Sequence, residues 1–257
     1  MLLEIEGFEH PRKRVHDKNR ENEKMKKILL ILPIVLAGCV SIHSENCIGI
    51  AENSQLVYIL PSPKTESNVS VEEALTRRRS RRNFQNKELS IEKLSQILWA
   101  AYGITGPRSG LRTTPSAGAL YPLEIYVVVG NVTGIEAGVY KYVVEEHKII
   151  RTIDKDIRTE LSLAVSGQAM VKNAPVTVVY TAIFSRTTRR YGERGRERYV
   201  FAELGHSAQN IYLQAETLGL GTVAIGAFID DKASELLKLP AEKELLYFMP
   251  IGHLTSN

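Results

Sequence analysis

Cysteine is nearly absent. The 257 residues carry two, Cys39 and Cys47, both near the N-terminus, so no disulfide framework and no cysteine-based metal site can form inside the main body. Proline is sparse as well: ten prolines against eighteen glycines, in a chain 44% hydrophobic and 24% charged, exclude a disordered or collagen-like polypeptide and fit an ordinary globular one. Charge of one sign is modest. The net charge of +4 and pI near 8.9 sit mainly in two local clusters rather than along a stripe, so no nucleic-acid partner is expected. Long hydrophobic runs are missing too. Residues 28–39 form an apolar run of about a dozen residues, short of the roughly 20 that a spanning helix needs.

That short run has another reading. Met25-Lys26-Lys27 precedes it and small residues close it, which is the pattern of an export signal. Leu36-Ala37-Gly38-Cys39 resembles the lipobox of prokaryotic lipoproteins, which implies lipidation of Cys39, a true start at Met25 and a mis-called extension over residues 1–24. A short amphipathic or buried helix is the alternative. Residues 25–39 then read as the signal segment, 40–68 as a flexible tether rich in Ser, Asn, Pro and Glu, and 69–257 as one domain. The expected location is exported and membrane-anchored through the lipid, with the cytoplasm as the alternative.

Along the body, residues 71–79 read as a helix. Ser90 is a good N-cap for a second one, with Ile91, Leu94, Ile97, Leu98 and Ala101 on a helical stripe and Gly103 as its stop. Apolar strands are expected at 125–129 and 175–182, the latter pointing to a sheet covered on both faces. A hairpin is expected over 138–144 and 148–153, and a helix over 155–166. Residues 186–198, with six arginines and two glutamates, read as a long polar loop. The longest helix spans 199–218, and a strand at 222–225, a helix at 232–239 and a strand at 245–251 follow. Interleaved elements with a hairpin predict an α+β fold.

Five arginines in six positions, Arg77-Arg78-Arg79-Ser80-Arg81-Arg82, run into Asn83-Phe84. A packed core would demand a counter-charge for each guanidinium, so the cluster faces water or an anion. Solvated helix end and phosphate site are both open on charge alone. Two other segments stand out, Thr114-Pro115-Ser116-Ala117-Gly118-Ala119-Leu120-Tyr121-Pro122-Leu123-Glu124 and Gly219-Leu220-Gly221-Thr222-Val223-Ala224-Ile225-Gly226-Ala227-Phe228. With residues 198–210, these motifs resemble, in order and spacing, the nitroreductase family of flavin enzymes, and within it the SagB-type dehydrogenases that oxidise azoline rings in peptides.

The resemblance implies FMN, a mainly antiparallel α+β fold and a homodimer with two flavin sites at its interface. It assigns Arg78, Arg79, Ser80 and Arg82 to the phosphate, ribityl and ring edge of the flavin, which suits the planar fork that arginine offers to phosphate. Pro115, Ser116, Ala117 and Gly118 would come from the other subunit. Ala224, Ile225, Gly226 and Ala227 would lie against the ring, with the N–H of Gly226 or Ala227 reaching it. Many relatives carry a basic C-terminal tail, for which only His253 could substitute here. Arg77 and Arg81 read as solvated or helix-end charges, His206 as a packing residue, and Glu203 and Asn210 as members of a hydrogen-bonded network. Tyr121 is a candidate edge of the substrate pocket, and the 186–198 stretch either steers an anionic substrate or is a charged surface. No metal site is expected, and no catalytic residue is assigned, because the flavin carries the chemistry.

The expected activity is FMN-dependent two-electron transfer, with NAD(P)H as a possible donor and a small-molecule acceptor. Azoline oxidation on a peptide is the alternative within the class. A surface lipoprotein that binds a flavin or another phosphate ligand without turnover is the alternative outside it.

Overall fold

Runs of β-branched residues build the centre of the molecule. In the computed structural model, which describes residues 50–52 and 55–255, the chain order is β1 (Ile50–Glu52), β2 (Gln55–Ile59), α1 (Val71–Arg77), α2 (Ile91–Tyr102), β3 (Ile104–Gly106), β4 (Leu111–Arg112), β5 (Leu123–Val129), β6 (Gly138–Val143) and β7 (Lys148–Ile153). Then come α3 (Arg158–Ala164), α4 (Ala169–Asn173), β8 (Val176–Ala182), α5 (Ser185–Tyr191), a π-helical stretch (Gly195–Tyr199), α6 (Val200–Thr217), β9 (Leu220–Thr222), α7 (Asp230–Leu236) and β10 (Glu244–His253). The signal segment, Cys39 and Cys47 lie outside the described residues.

Eight strands form one sheet in the order β1-β2-β7-β6-β5-β8-β10-β9, with antiparallel pairing throughout. β5 and β8 sit in the middle and are buried on both faces, which explains their unbroken apolar composition. The period of two sends Val127 and Val178 to one face and Val128 and Val179 to the other. On the first face they meet Leu94, Ile97 and Leu98 of α2 and Leu204 and Ile211 of α6. On the second they meet Leu161 of α3, Val171 of α4 and Ala233 of α7. Each such aliphatic side chain contributes about 1.5–3 kcal/mol on full burial, so the three-layer packing holds α6 firmly against the sheet. The mainly antiparallel α+β architecture agrees with the sequence reading.

Local signals explain the boundaries. Ser70 and Ser90 cap α1 and α2, accepting from the N–H of Glu73 (3.1 Å) and Lys93 (3.4 Å). Gly103 ends α2 at a φ of −66°, which any residue could adopt. Its requirement is space, because a Cβ there would lie 2.3 Å from Cδ1 of Trp99.

Two expectations are corrected. Part of the expected tether is sheet: β2 pairs with β7 through Val57–Ile150, Tyr58–Ile149 and Ile59–Lys148. Tyr58 is buried with its ring edge-on to Tyr140 at 5.8 Å. Residues beyond β2 are fixed to α2, where Ser95 donates to the Pro61 carbonyl (2.5 Å) and Gln96 bonds both backbone groups of Lys64 (2.8 and 3.0 Å). The folded unit therefore begins before residue 69. The second correction concerns 186–198, which is helical rather than a loop, forming α5 and the π-helical stretch.

Candidate functional site

The arginine cluster begins where α1 ends. Arg77 pairs with Glu73 one turn back. Arg78 leaves the helical conformation, and Arg79 folds back so that its Nη1 donates to the carbonyls of Thr76 (3.0 Å) and Arg78 (2.8 Å). That satisfies helix-end acceptors and places a cation at the negative end of the dipole. The next residues run along the sheet edge. Ser80 bridges Thr222 of β9 in parallel, the Arg81 N–H donates to the Thr222 carbonyl (2.8 Å), and Phe84 bridges Leu254. Two glycines make the approach possible: a Cβ at Gly221 would lie 2.7 Å from Arg81 Cβ, and one at Gly252 would lie 2.9 Å from Phe84 Cγ.

Tyr212 of α6 ties this segment to the third one. Its ring lies under the Arg78 guanidinium at 5.3 Å, and its hydroxyl meets Ser80 Oγ at 3.2 Å. The same hydroxyl accepts from the Ala224 N–H at 2.8 Å. Arg78 and Arg82 have no carboxylate partner among the described residues. Arg81 is half-buried and its Nε is buried without a hydrogen bond, so it is not the solvated charge that its position suggested.

The third segment divides in two. Ile225 exchanges both backbone bonds with Phe248 (2.8 and 3.0 Å) and buries its side chain in the core, and Ala224 spends its N–H on Tyr212. Neither has an N–H to offer a ligand. Gly226 and Ala227 are exposed, and their N–H groups have no partner among the described residues. Of the four expected residues, these two keep free donors.

The second segment is built on another network. Thr114 donates to the Ala101 carbonyl (2.8 Å), and Asn210 Nδ2 donates to the Thr113 carbonyl (3.1 Å) and Thr114 Oγ1 (3.2 Å). Ser116 Oγ accepts from the Tyr121 N–H (2.9 Å) and bonds the buried Glu203 carboxyl, which also receives the Tyr102 hydroxyl. Gly118 has a φ of +61°, which suits glycine, while Pro115, Ala117 and Gly118 line the surface side of this turn. Arg112 lies between the rings of Tyr102 (4.6 Å) and Tyr121 (4.3 Å) and reaches Glu145 at 3.0 Å.

Burial pushes the Glu203 carboxyl above the ordinary glutamate value, while the bonds from Ser116 and Tyr102 pull it back. Burial and the neighbouring carboxyl also push the Tyr102 phenol well up. Glu124 is the opposite case. Burial opposes its charge, but bonds from Lys243 and Arg186 and the charge of Lys141 win and bring it down to about 2.

These networks meet different sides of α6. Residues advance about 100° around a helix, so Glu203, Ser207 and Asn210 share one side and Tyr212 points nearly opposite. Within one chain the structure joins the first and third segments and holds the second across the helix.

The structure also gives the surroundings of two further residues, His253 and His206. Burial, and then the charges of Lys93 and Lys87, lower the pKa of the His253 ring, which disfavours the cationic form that a basic tail would supply. His206 is exposed on α6 without a hydrogen bond among the described residues, while Glu203 and Asn210 do belong to a network, as expected. Sequence reading assigned Tyr212 no role of its own within the 199–218 helix and missed it as the hub. Its position nine residues after Glu203, half a turn out of phase, was the available signal. Arg112 and Tyr102 carried none.

Comparison with known proteins gives the family of the chain. The chain is 50% identical over 184 residues to a protein of Methanocaldococcus jannaschii named as a nitroreductase, covering 72% of this chain and 91% of that one. A NADPH-flavin oxidoreductase of Vibrio harveyi is 33% identical over 119 residues, 42% of this chain and 48% of its own. Among solved structures, the Escherichia coli microcin synthetase McbBCD complex with truncated pro-MccB17 contains a similar chain, at a TM-score of 0.62 and 25% identity over 76% of this chain and 77% of that one. Residues 75–253, which include all three segments, match the Nitroreductase family, and the chain belongs to it.

Proposed function

We propose that the protein is an FMN-dependent oxidoreductase whose two flavin sites are each completed by two copies of the chain. The observation that carries this is the separation across α6. The first and third segments leave cations and N–H donors unspent, and the second, which the resemblance assigns to the same ligand, is held on the far side. A second copy supplies it. The exposed Phe201 and Gly205, on the Tyr212 side of the helix, suit burial against that copy.

The residues fit the cofactor. Arg78 and Arg82 offer guanidinia free of carboxylates, Arg81 offers a buried unpartnered Nε, and Gly226 and Ala227 offer free N–H groups. An FMN phosphate carries nearly two negative charges, which such forks bind in bidentate fashion. A positive group at the ring edge favours the reduced, anionic cofactor, and this is the role of Arg82. When bound, the flavin supplies two-electron chemistry, and NADH or NADPH is the proposed donor.

The visible spectrum of the purified protein with added FMN tests the reading, and sedimentation tests the dimer. A protein that stays colourless, or a monomer that binds flavin as tightly as a dimer, would refute it. Exchanging Arg78 and Arg82 together for Ala should lower flavin retention at least tenfold. Likeness to a chain of a peptide-modifying complex favours a second reading, oxidation of an azoline ring in a peptide. Formation of the aromatic azole on such a peptide, against reduction of a nitroaromatic or quinone, separates the two. Lipid anchoring at Cys39 is proposed on the sequence pattern alone, and labelled palmitate should enter the wild type and not Cys39→Ser.

A further inference from the structure

The six arginines over 186–198 divide into two groups by what they touch. Two are anchors. Arg186 bonds Glu124 (2.6 Å) and the Tyr121 carbonyl (3.1 Å), and Arg196 forks onto Glu244 (2.8 and 2.7 Å) with its guanidinium 4.4 Å from the Phe184 ring centre. Tyr191 and Tyr199 close edge to face at 5.0 Å, and Gly195 packs so tightly on Thr187 that a Cβ there would lie 3.1 Å from its methyl. The segment is therefore held by these contacts, although its composition reads as a polar loop.

The other four, Arg189, Arg190, Arg194 and Arg198, are exposed and have no carboxylate within 4.0 Å among the described residues. Glu193 and Glu197 stand three or four residues from Arg189, Arg190 and Arg194, the spacing at which helical ion pairs form, yet make none. Arg77 and Glu73 do pair at that spacing. A surface built for solubility would pair its charges in this way.

This group without carboxylate partners, in which Arg190 lies over the Tyr191 ring at 5.3 Å, also borders the candidate site. The Tyr191 hydroxyl and Arg190 Nη1 lie over Gly118, 2.8 and 3.1 Å from where its Cβ would stand. Arg186 holds the same turn through Tyr121. A π-helical stretch inside a helix is rare and frequently occurs at functional sites.

We propose that α5 and the π-helical stretch form a rigid cationic platform beside the Gly118 turn that selects anionic substrates, those bearing a phosphate or sulfonate group. Grouped guanidinia on a fixed surface raise the local concentration of such anions and their association rate, by tenfold or more at low salt (roughly 10–10³-fold), and each fork matches phosphate geometry. This rests on the flavin reading given above, and the anion sits on either the electron donor or the acceptor.

The test uses full-length protein with FMN, the wild type against the fourfold variant Arg189→Gln, Arg190→Gln, Arg194→Gln and Arg198→Gln, and the single variant Arg190→Gln. Flavin content is measured first; a flavin-free wild type refutes the flavin reading and leaves the platform to the binding measurement. NADPH is compared with NADH as donor, and a sulfonated naphthoquinone with menadione as acceptor. KM for the more highly charged member of at least one pair should rise about tenfold in the fourfold variant, with kcat held and the salt dependence flattened. The donor pair or the acceptor pair then identifies the source of the anion. Unchanged constants, or equal losses for both members of both pairs, would overturn the proposal. Calorimetric titration with inorganic pyrophosphate reads the platform without the flavin: weaker binding to the variant supports it and equal binding refutes it.

Discussion

The two sides of α6 are made from the same helix and differ in what they leave unspent. On the Glu203 side nearly every polar group has a partner. Glu203 takes Tyr102 and Ser116, Asn210 takes Thr113 and Thr114, Ser207 takes Tyr180 and the Ala101 carbonyl, and Arg112 takes Glu145 and two rings, though its buried Nε has no partner. On the Tyr212 side the hydroxyl at the centre is saturated, but the cations and N–H groups around it are free. Saturated polar groups hold a fold, while unsaturated ones beside a fixed hub are suited to a ligand. The contrast predicts that changes on the Glu203 side lower the stability of the flavin-free protein, and that changes on the Tyr212 side lower flavin retention.

The largest effect on stability is expected from Glu203→Ala. It leaves the buried hydroxyl of Tyr102 without its acceptor and opens a cavity, and each unsatisfied buried group costs about 1–3 kcal/mol. Thermal unfolding of the flavin-free variant should show a loss of roughly 2–4 kcal/mol. A variant that keeps its melting temperature but loses flavin would reverse the assignment of the two sides.

Next come the pH dependences, which run in opposite directions for the two buried carboxyls. Glu124 ionises near 2 in the folded chain against 4.5 for a free glutamate, so its stabilisation is fully present above 4.5 and is lost as pH falls from there towards 2. The shift is worth roughly 3 kcal/mol before solvent screening, so about 2 kcal/mol should vanish over that window in wild type and not in Glu124→Gln. Glu203 is raised, so its contribution is fully present below 4.5 and is lost as pH rises through its folded value. Denaturant unfolding across the acid range measures both. A Glu124→Gln variant that keeps the acid slope would show that its three cations do not act on it.

Much of the fold was legible because its signals are local. Ser90 before an apolar stripe fixes α2, and the β-branched run at 176–182 fixes a central strand. β2 was not legible. Its apolar run, Leu56 to Leu60, is short and follows a polar stretch, and what fixes it as a strand is a partner some ninety residues later, Val57 against Ile150. The 186–198 helices were hidden in the same way, since anchors such as Glu124 and Glu244 lie 62 and 48 residues away in sequence from the arginines they hold. At the site, the order of the three segments could be read, but which N–H groups stay free depends on Phe248 and Tyr212, which no motif announces.

Tyr212→Phe is the sharper probe of the hub because it removes one oxygen and keeps the ring under Arg78. The Ala224 N–H and Ser80 Oγ each lose a partner, at a cost of about 1 kcal/mol in the flavin-free protein. Flavin retention should fall several-fold, because Ala224 leads directly into the free N–H groups of Gly226 and Ala227. A stability loss with unchanged flavin affinity would make Tyr212 a core residue and move the ligand side of α6 elsewhere.

The smallest effect comes from neighbours in the cluster itself. Arg77 and Arg78 are adjacent and chemically identical, but Arg77 pairs with Glu73 on the surface while Arg78 stands free over Tyr212. An exposed pair at this spacing is worth about 0.3 kcal/mol, so Arg77→Gln should barely move the melting temperature and should leave flavin content untouched. Arg78→Gln should move the melting temperature just as little, yet lower flavin retention. The two variants have the same net charge, so any long-range effect of removing one positive charge is common to both. If they bind flavin equally, charge alone explains the cluster. If only Arg78→Gln loses flavin, the position over Tyr212 explains it.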